Sequence, residues 1–199
     1  MRIARLRRRR QGNDSIGLGA KAEVLTIDLG AGNDKLTHGS ATSGTIITLG
    51  EGSDVVIFNA TAQYEDELTE DNYLRNITDA SKANFAAQII TITDFNGAQD
   101  VLRFEGKLRP TLQDEITVLS NDQAAAVDEL DDLFSAVSFV ATQIGADTWT
   151  TFQYGGNTYI FQNNNGEGFD AKDGLIELVG FTGSLDDANF VLGVSPPER

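Results

Sequence analysis

Leu29-Gly-Ala-Gly-Asn-Asp-Lys-Leu36 and Leu49-Gly-Glu-Gly-Ser-Asp-Val-Val56 are two versions of one phrase, set twenty residues apart. The shift lays Gly30 on Gly50, Gly32 on Gly52, Asp34 on Asp54 and Leu36 on Val56, and it also lays Ile27 on Ile47 ahead of the phrase. Gly12-Asn-Asp-Ser-Ile16 is a partial third copy one period earlier. Self-similarity at a fixed period is the signature of stacked repeats. Paired glycines let a tight turn aim its carbonyl oxygens inward. The aspartate adds a carboxylate, and the apolar residue two positions on begins a strand whose side chain enters the core.

Stacking such turns sets Asp14, Asp34 and Asp54 in a column. At a strand spacing of about 4.8 Å, each neighbouring pair of carboxylates costs roughly 3 kcal/mol at an effective dielectric of 20. Oxygens ringing a concentrated negative charge describe a site for a hard cation, and Ca²⁺ takes 6–8 such ligands in adaptable geometry. On this reading Asp14, Asp34 and Asp54 ligate through carboxylates and Gly30, Gly32, Gly50 and Gly52 through backbone carbonyls. The plainer alternative is a pair of Gly-Asx turns without an ion.

The two phrases resemble the glycine- and aspartate-rich nonapeptide of the RTX (repeats-in-toxin) calcium-binding family. The resemblance implies a parallel β-roll holding Ca²⁺ between turns, on bacterial proteins exported by the type I secretion machinery. Two departures stand out. Leu29 and Leu49 occupy the first glycine position, and the motif occurs once per twenty residues, so ions are expected along one edge of the roll only. Ile89-Ile-Thr-Ile-Thr-Asp-Phe…Asp-Val-Leu-Arg-Phe104 is similar to the segment that closes such rolls. By that likeness Asp94 and Asp100 help ligate the last ion; otherwise Asp94 caps a turn.

Charge agrees with cation binding. The chain of 199 residues carries 30 acidic and 15 basic residues. Six of the basic residues are arginines within Met1–Arg10, so the remainder bears nine bases against 30 acids, a net of −21. Such a body repels itself when metal-free and repels nucleic acid and anionic membrane surfaces. There is no cysteine, hence no disulfide, and no apolar run approaches a membrane span of roughly 20 residues. The arginine-rich opening has no apolar stretch behind it and is not a cleaved signal. It is expected to be unstructured, the junction of a chain that starts partway through an array, or else a basic tail with a role of its own.

Three regions are expected: the Arg-rich stretch 1–10, a repeat region 11–105 with an acidic insertion at about 59–87 holding one or two short helices, and a C-terminal α+β domain 106–199. In the last, Asn121–Val137 reads as one helix, capped by Asn121 or Asp122, with Val127, Leu130, Leu133, Phe134 and Val137 on one face. Thr148–Tyr154 and Thr158–Gln162 read as a hairpin across Gly155-Gly-Asn157, followed by a strand at Leu175–Val179. The loop between them offers Asn163, Asn165, Glu167, Asp170 and Asp173 as a second, looser Ca²⁺ set, the alternative being a polar hairpin loop. It lacks the bidentate glutamate of an EF-hand, since Gly174 stands at the twelfth position. These end motifs, with Leu185-Asp-Asp-Ala-Asn-Phe-Val-Leu192, look like the end domain and uncleaved C-terminal signal of type I-secreted proteins.

No catalytic arrangement is present. The single histidine, His38, is placed on the turn opposite the aspartate edge and precludes a two-histidine zinc helix; there is no G-x-S-x-G elbow and no thiol. The sequence therefore describes a non-enzyme. Its expected fold class is mostly β, a short parallel β-roll (a right-handed β-solenoid of ~20-residue coils) followed by a small α+β domain with one helix and a β-hairpin. Its expected function is a calcium-binding, extracellular module that folds on Ca²⁺ and supports type I secretion. The alternative is a Ca²⁺-rigidified surface-layer or adhesive module that contacts itself or a cell surface. A metal-free binder of polysaccharide or ice would need a threonine ladder, for which only Thr26 and Thr48 speak.

Overall fold

The computed structural model describes residues 4–18, 25–39, 43–59, 74, 76–106, 116–146, 148–164, 166, 168–186 and 188–194. Along the repeats the strands are β1 (Ala4–Gln11), β2 (Ser15–Gly17), β3 (Leu25–Ala31), β4 (Lys35–Gly39), β5 (Ile46–Thr48) and β6 (Val55–Asn59). Then come β7 (Ile90–Ile92), β8 (Val101–Gly106), β9 (Ile116–Thr117), helices α1 (Asn121–Asp128) and α2 (Leu133–Gln143), β10 (Thr148–Tyr154), β11 (Asn157–Asn163), β12 (Gly174–Leu178) and β13 (Phe190–Val194).

From β1 to β8 the strands alternate between two sheets. One is ordered β1-β3-β5-β7-β12-β11-β10-β9 and the other β13-β8-β6-β4-β2. Within the repeats every pairing is parallel, with Ile27 opposite Ile47 and Ile16, Leu36 and Val56 in one row. The next partner of Val56 is Leu102, so the segment between them leaves the stack and returns in register. Period-two alternation explains the core: Ile27, Leu29, Leu36, Ile47, Leu49, Val56, Ile90, Ile92 and Leu102 are fully buried between the sheets. A second apolar cluster lies on the other face of the larger sheet, where Phe152, Tyr159, Phe161 and Leu175 meet Val127, Ala136, Val137, Val140 and Ala141 of the helices.

This overturns the expected fold class. Among the described residues the chain is mixed α/β, with two sheets and two helices, and not a mostly β roll carrying an appended one-helix domain. The C-terminal strands have no sheet of their own. β12 pairs in parallel with β7, and β13 with β8, because Ile176, Leu178 and Phe190 belong to the same core as Ile90, Ile92 and Leu102. Each sheet therefore takes strands from both sides of residue 106.

Three local expectations change as well. Ala4–Gln11 of the arginine-rich opening is not unstructured but forms β1 beside β3. The single helix is two, broken at Glu129–Asp132. Ser120, not Asn121 or Asp122, caps α1 through a capping box with Gln123, and Asp132 caps α2 by accepting the Ser135 amide at 2.8 Å. Within the insertion, residues 60–73 and 75 lie outside the described residues, and the described part holds one 3₁₀ turn at Phe85–Gln88. The expected hairpin is present, with Gly155 and Gly156 at φ of 60° and 82° in its turn. No helix among the described residues is long and apolar enough to cross a membrane.

Candidate cation site

The repeated turns join the two sheets, and their stacking fixes the aspartates. Gly30, Gly32, Gly50 and Gly52 have φ of 102°, 137°, 99° and 131°, a region closed to most side chains. Stacking makes glycine obligatory a second time. A Cβ on Gly50 would lie 1.6 Å from the Gly30 carbonyl oxygen, and one on Gly52 would lie 2.0 Å from that of Gly32. These carbonyls point along the stack, and Gly30 O accepts the Glu51 amide at 3.0 Å. The four glycines thus act first as contact surfaces between turns.

Asp14, Asp34, Asp54 and Asp100 form one ladder. Each amide donates to the next carboxylate: Asp14 N to Asp34 Oδ1 at 2.7 Å, Asp34 N to Asp54 Oδ1 at 2.7 Å, and Asp54 N to Asp100 Oδ1 at 3.0 Å. Asn13, Asn33 and Ser53 run beside it, with Asn33 N on Asn13 Oδ1 and Ser53 N on Asn33 Oδ1. The amides supply part of the positive charge that such a column needs. They do not satisfy it. Asp34, Asp54 and Asp100 are 2%, 1% and 3% exposed, and Oδ2 of Asp14, Asp34 and Asp54 is closed off from solvent without a hydrogen-bond partner. Asp100 differs, since its Oδ2 accepts the Asn96 amide at 2.8 Å.

The electrostatics follow from this crowding. Burial raises the Asp54 carboxyl to about 6, against the Asp34 amide, and the charges of Asp100, Asp34 and Asp94 add to the rise. Burial likewise raises Asp100, opposed by the amides of Asn96 and Asp54. Asp94 is outside the ladder. Its two oxygens accept the amides of Leu49 and Gly50 at 2.8 and 2.9 Å, the turn-capping role.

The loop after β11 is organised around itself. Asp173 is fully buried, its carboxylate accepting the amides of Asn164 and Asp170 at 2.9 Å each, and burial raises it to about 6. Asn163 Oδ1 holds the Gly166 amide at 2.7 Å and Asp170 Oδ1 the Lys172 amide at 2.8 Å. Asn165 and Glu167 lie outside the described residues. His38 is not on a turn. It sits in β4, fully buried in register with Phe58, its ring 5.5 Å from that of Phe58. The twenty-residue shift that lays Lys35-Leu-Thr-His38 on Val55-Val-Ile-Phe58 already carried that signal.

Among the described residues no three His, Cys, Asp or Glu side chains gather closely enough to enclose a metal ion. A cation on the column would take one or two carboxylates and fill its shell with backbone oxygens and water, as Ca²⁺ accepts. The partnerless Oδ2 atoms fit that demand, because a buried anionic oxygen without a donor is costly. No protein-family model matches the chain, and a search of the curated proteins finds no match. The likeness to RTX repeats rests on the motif residues alone.

Proposed function

We propose that the ladder Asp14–Asp34–Asp54–Asp100 binds Ca²⁺ and that cation binding drives folding of the sheets attached to it. The observation that carries this reading is the row of solvent-excluded Oδ2 atoms on Asp14, Asp34 and Asp54, each without a hydrogen-bond partner. Three stacked carboxylates in a chain of net charge −15 oppose compaction, and a divalent ion removes that opposition. Binding free energy then becomes folding free energy. With the RTX resemblance, this makes the protein an extracellular bacterial module. It stays unfolded at low cytosolic Ca²⁺, passes a type I channel and folds outside. This is a binding and folding role and not a catalytic one.

The test is a pair of urea titrations of metal-stripped protein, in EDTA and in millimolar Ca²⁺. Ca²⁺ at 100 times its Kd adds about 2.7 kcal/mol per site and moves the midpoint up accordingly. Asp34→Ala, which removes the central carboxylate, is expected to abolish most of that shift. Coincident midpoints in EDTA and Ca²⁺ would eliminate the cation and leave the ladder as a set of turn hydrogen bonds.

A further inference from the structure

Residues 74 and 76–79 cross the larger sheet where β7 and β12 begin, the parallel pair that joins the C-terminal strands to the repeats. Leu74 lies in the core between the sheets and Ile77 in the core beneath the helices, 2% and 1% exposed. The two ends of this crossing are held differently. Asn76 is fully buried, and its carboxamide takes the place of a backbone partner. Its Nδ2 donates to the carbonyls of Gln88 and Leu175 at 2.7 and 2.9 Å, and its Oδ1 accepts the Leu175 amide at 2.9 Å. The Gln88 carbonyl also accepts the Gly44 amide at 3.0 Å, so one point ties the crossing both to a repeat turn and to β12. Gln88 Oε1 accepts the amides of Thr78 and Asp79 at 2.6 and 3.0 Å, and the Ile77 amide donates to the Asp173 carbonyl at 3.2 Å.

At Leu74 the match is incomplete. Its amide donates to Gln162 Oε1 at 2.7 Å and its carbonyl accepts Asn164 Nδ2 at 3.1 Å. The other atoms of those two carboxamides, Gln162 Nε2 and Asn164 Oδ1, are buried without a partner, whereas no side-chain atom of Asn76, Thr78 or Gln88 is. Leu74 also rests directly on Gly174, where a Cβ would lie 2.5 Å from its carbonyl oxygen and 2.6 Å from its Cβ and Cγ. We infer that this crossing is a latch that holds β12 on β7, fastened at Asn76 and Gln88 and lifting at Leu74 ahead of global unfolding. Lifting exposes one leucine and hands both orphaned carboxamide atoms to water, which offsets part of its cost. The ties of Asn76 to Gln88 and Leu175 stay closed. Such an opening is a sub-global event with a free energy of its own. The latch needs no cation and stands apart from the Ca²⁺ reading.

Residue-resolved hydrogen exchange by NMR, on the full chain at low urea, tests both ends. In the parent the Leu74 amide is expected to exchange at least about tenfold faster than that of Leu175, with little dependence on urea, because its opening exposes little surface. Gly174→Ala, at a position without positive φ, wedges Leu74 off its seat and leaves every bond to Gln88 intact. It should speed Leu74 about tenfold while Thr78 and Asp79 keep the parent's rates. Asn76→Ala should speed Leu175 and Val179, whose amides bond Asn76 and Ile92 at the seam, about tenfold more than the amides of β10 and β11, the scale of one lost hydrogen bond. The inference is overturned if Leu74 exchanges at the rate and urea slope of Leu175, or if Gly174→Ala frees Thr78 and Asp79 together with Leu74. It is also overturned if Asn76→Ala speeds β10 and β11 as much as the seam. Should Asn76→Ala fail to fold, the parent and Gly174→Ala decide.

Discussion

His38 is fully buried, and neither ring nitrogen has a hydrogen-bond partner. Burial lowers it to about 4, a contact with the Gly39 backbone short of a hydrogen bond opposing part of the shift. The unfolded chain, with histidine near 6.5, takes up a proton first as pH falls, so His38 withdraws stability progressively between 6.5 and 4, up to about 3 kcal/mol. Asp54 and Asp173 act with the opposite sign. Raised to about 6 from 3.8, they are protonated first in the folded chain and add stability as pH falls through 6. In EDTA the parent protein should therefore have a melting temperature that varies little between pH 7 and 5. His38→Phe, extending the ring stack of Phe58 and Phe104 (centroids 5.0 Å apart), should melt higher at pH 5 than at pH 7. A His38→Phe profile as flat as the parent's between pH 7 and 5 would refute the assignment. At this scale the spacing of Asp14, Asp34 and Asp54 was legible, since a register of twenty can be counted. That one oxygen of each of Asp34, Asp54 and Asp100 serves a backbone amide was not legible, because it depends on how far one turn settles onto the next.

The break between α1 and α2 is held by tertiary contacts that no local pattern announces. Val127, Leu130, Leu133, Phe134 and Val137 follow helical spacing straight through it, and Glu129-Leu-Asp-Asp132 contains neither glycine nor proline. A continuous helix would give the Leu130 carbonyl to the amide of residue 134. Instead Tyr154 Oη donates to it at 2.9 Å, and Asp132 turns to the Ser135 amide while pairing with Lys82 at 2.5 Å. Residues 24 and 50 positions away thus decide where the helix stops. The hairpin of β10 and β11 was legible because Gly155-Gly156 sets it locally. Ser120→Ala removes the side-chain half of the α1 capping box, the bond from the Gln123 amide to Ser120 Oγ, and leaves the backbone amide of residue 120 donating to Gln123 Oε1. It should cost about 1 kcal/mol, read as a lower urea midpoint at unchanged slope. A variant indistinguishable from the parent would place the capping elsewhere.

Across the whole molecule, the sequence made the C-terminal half look separable because its composition and periodicity change after Gly106. Two parallel pairings join it to the repeats, β12 on β7 and β13 on β8, and both bridge long stretches of chain whose partners no short window contains. The consequence is a test of cooperativity. Phe190, in β13, is 3% exposed and packs its ring 5.1 Å from Phe104 of the repeat-side sheet and 6.2 Å from Trp149 of the other. Phe190→Ala leaves a cavity where the two sheets and both halves of the chain meet, and should cost about 3–5 kcal/mol. If the halves share one core, Trp149 fluorescence and far-ultraviolet circular dichroism must shift together to the same lower midpoint. An independent C-terminal unit would instead split the transition, fluorescence moving while part of the β signal keeps the parent's midpoint. A single shifted transition also bears on the aspartate ladder. The strands it joins share their core with β12 and β13, so losing Phe190 should weaken the Ca²⁺ binding proposed for Asp34 and Asp54 without altering either carboxylate.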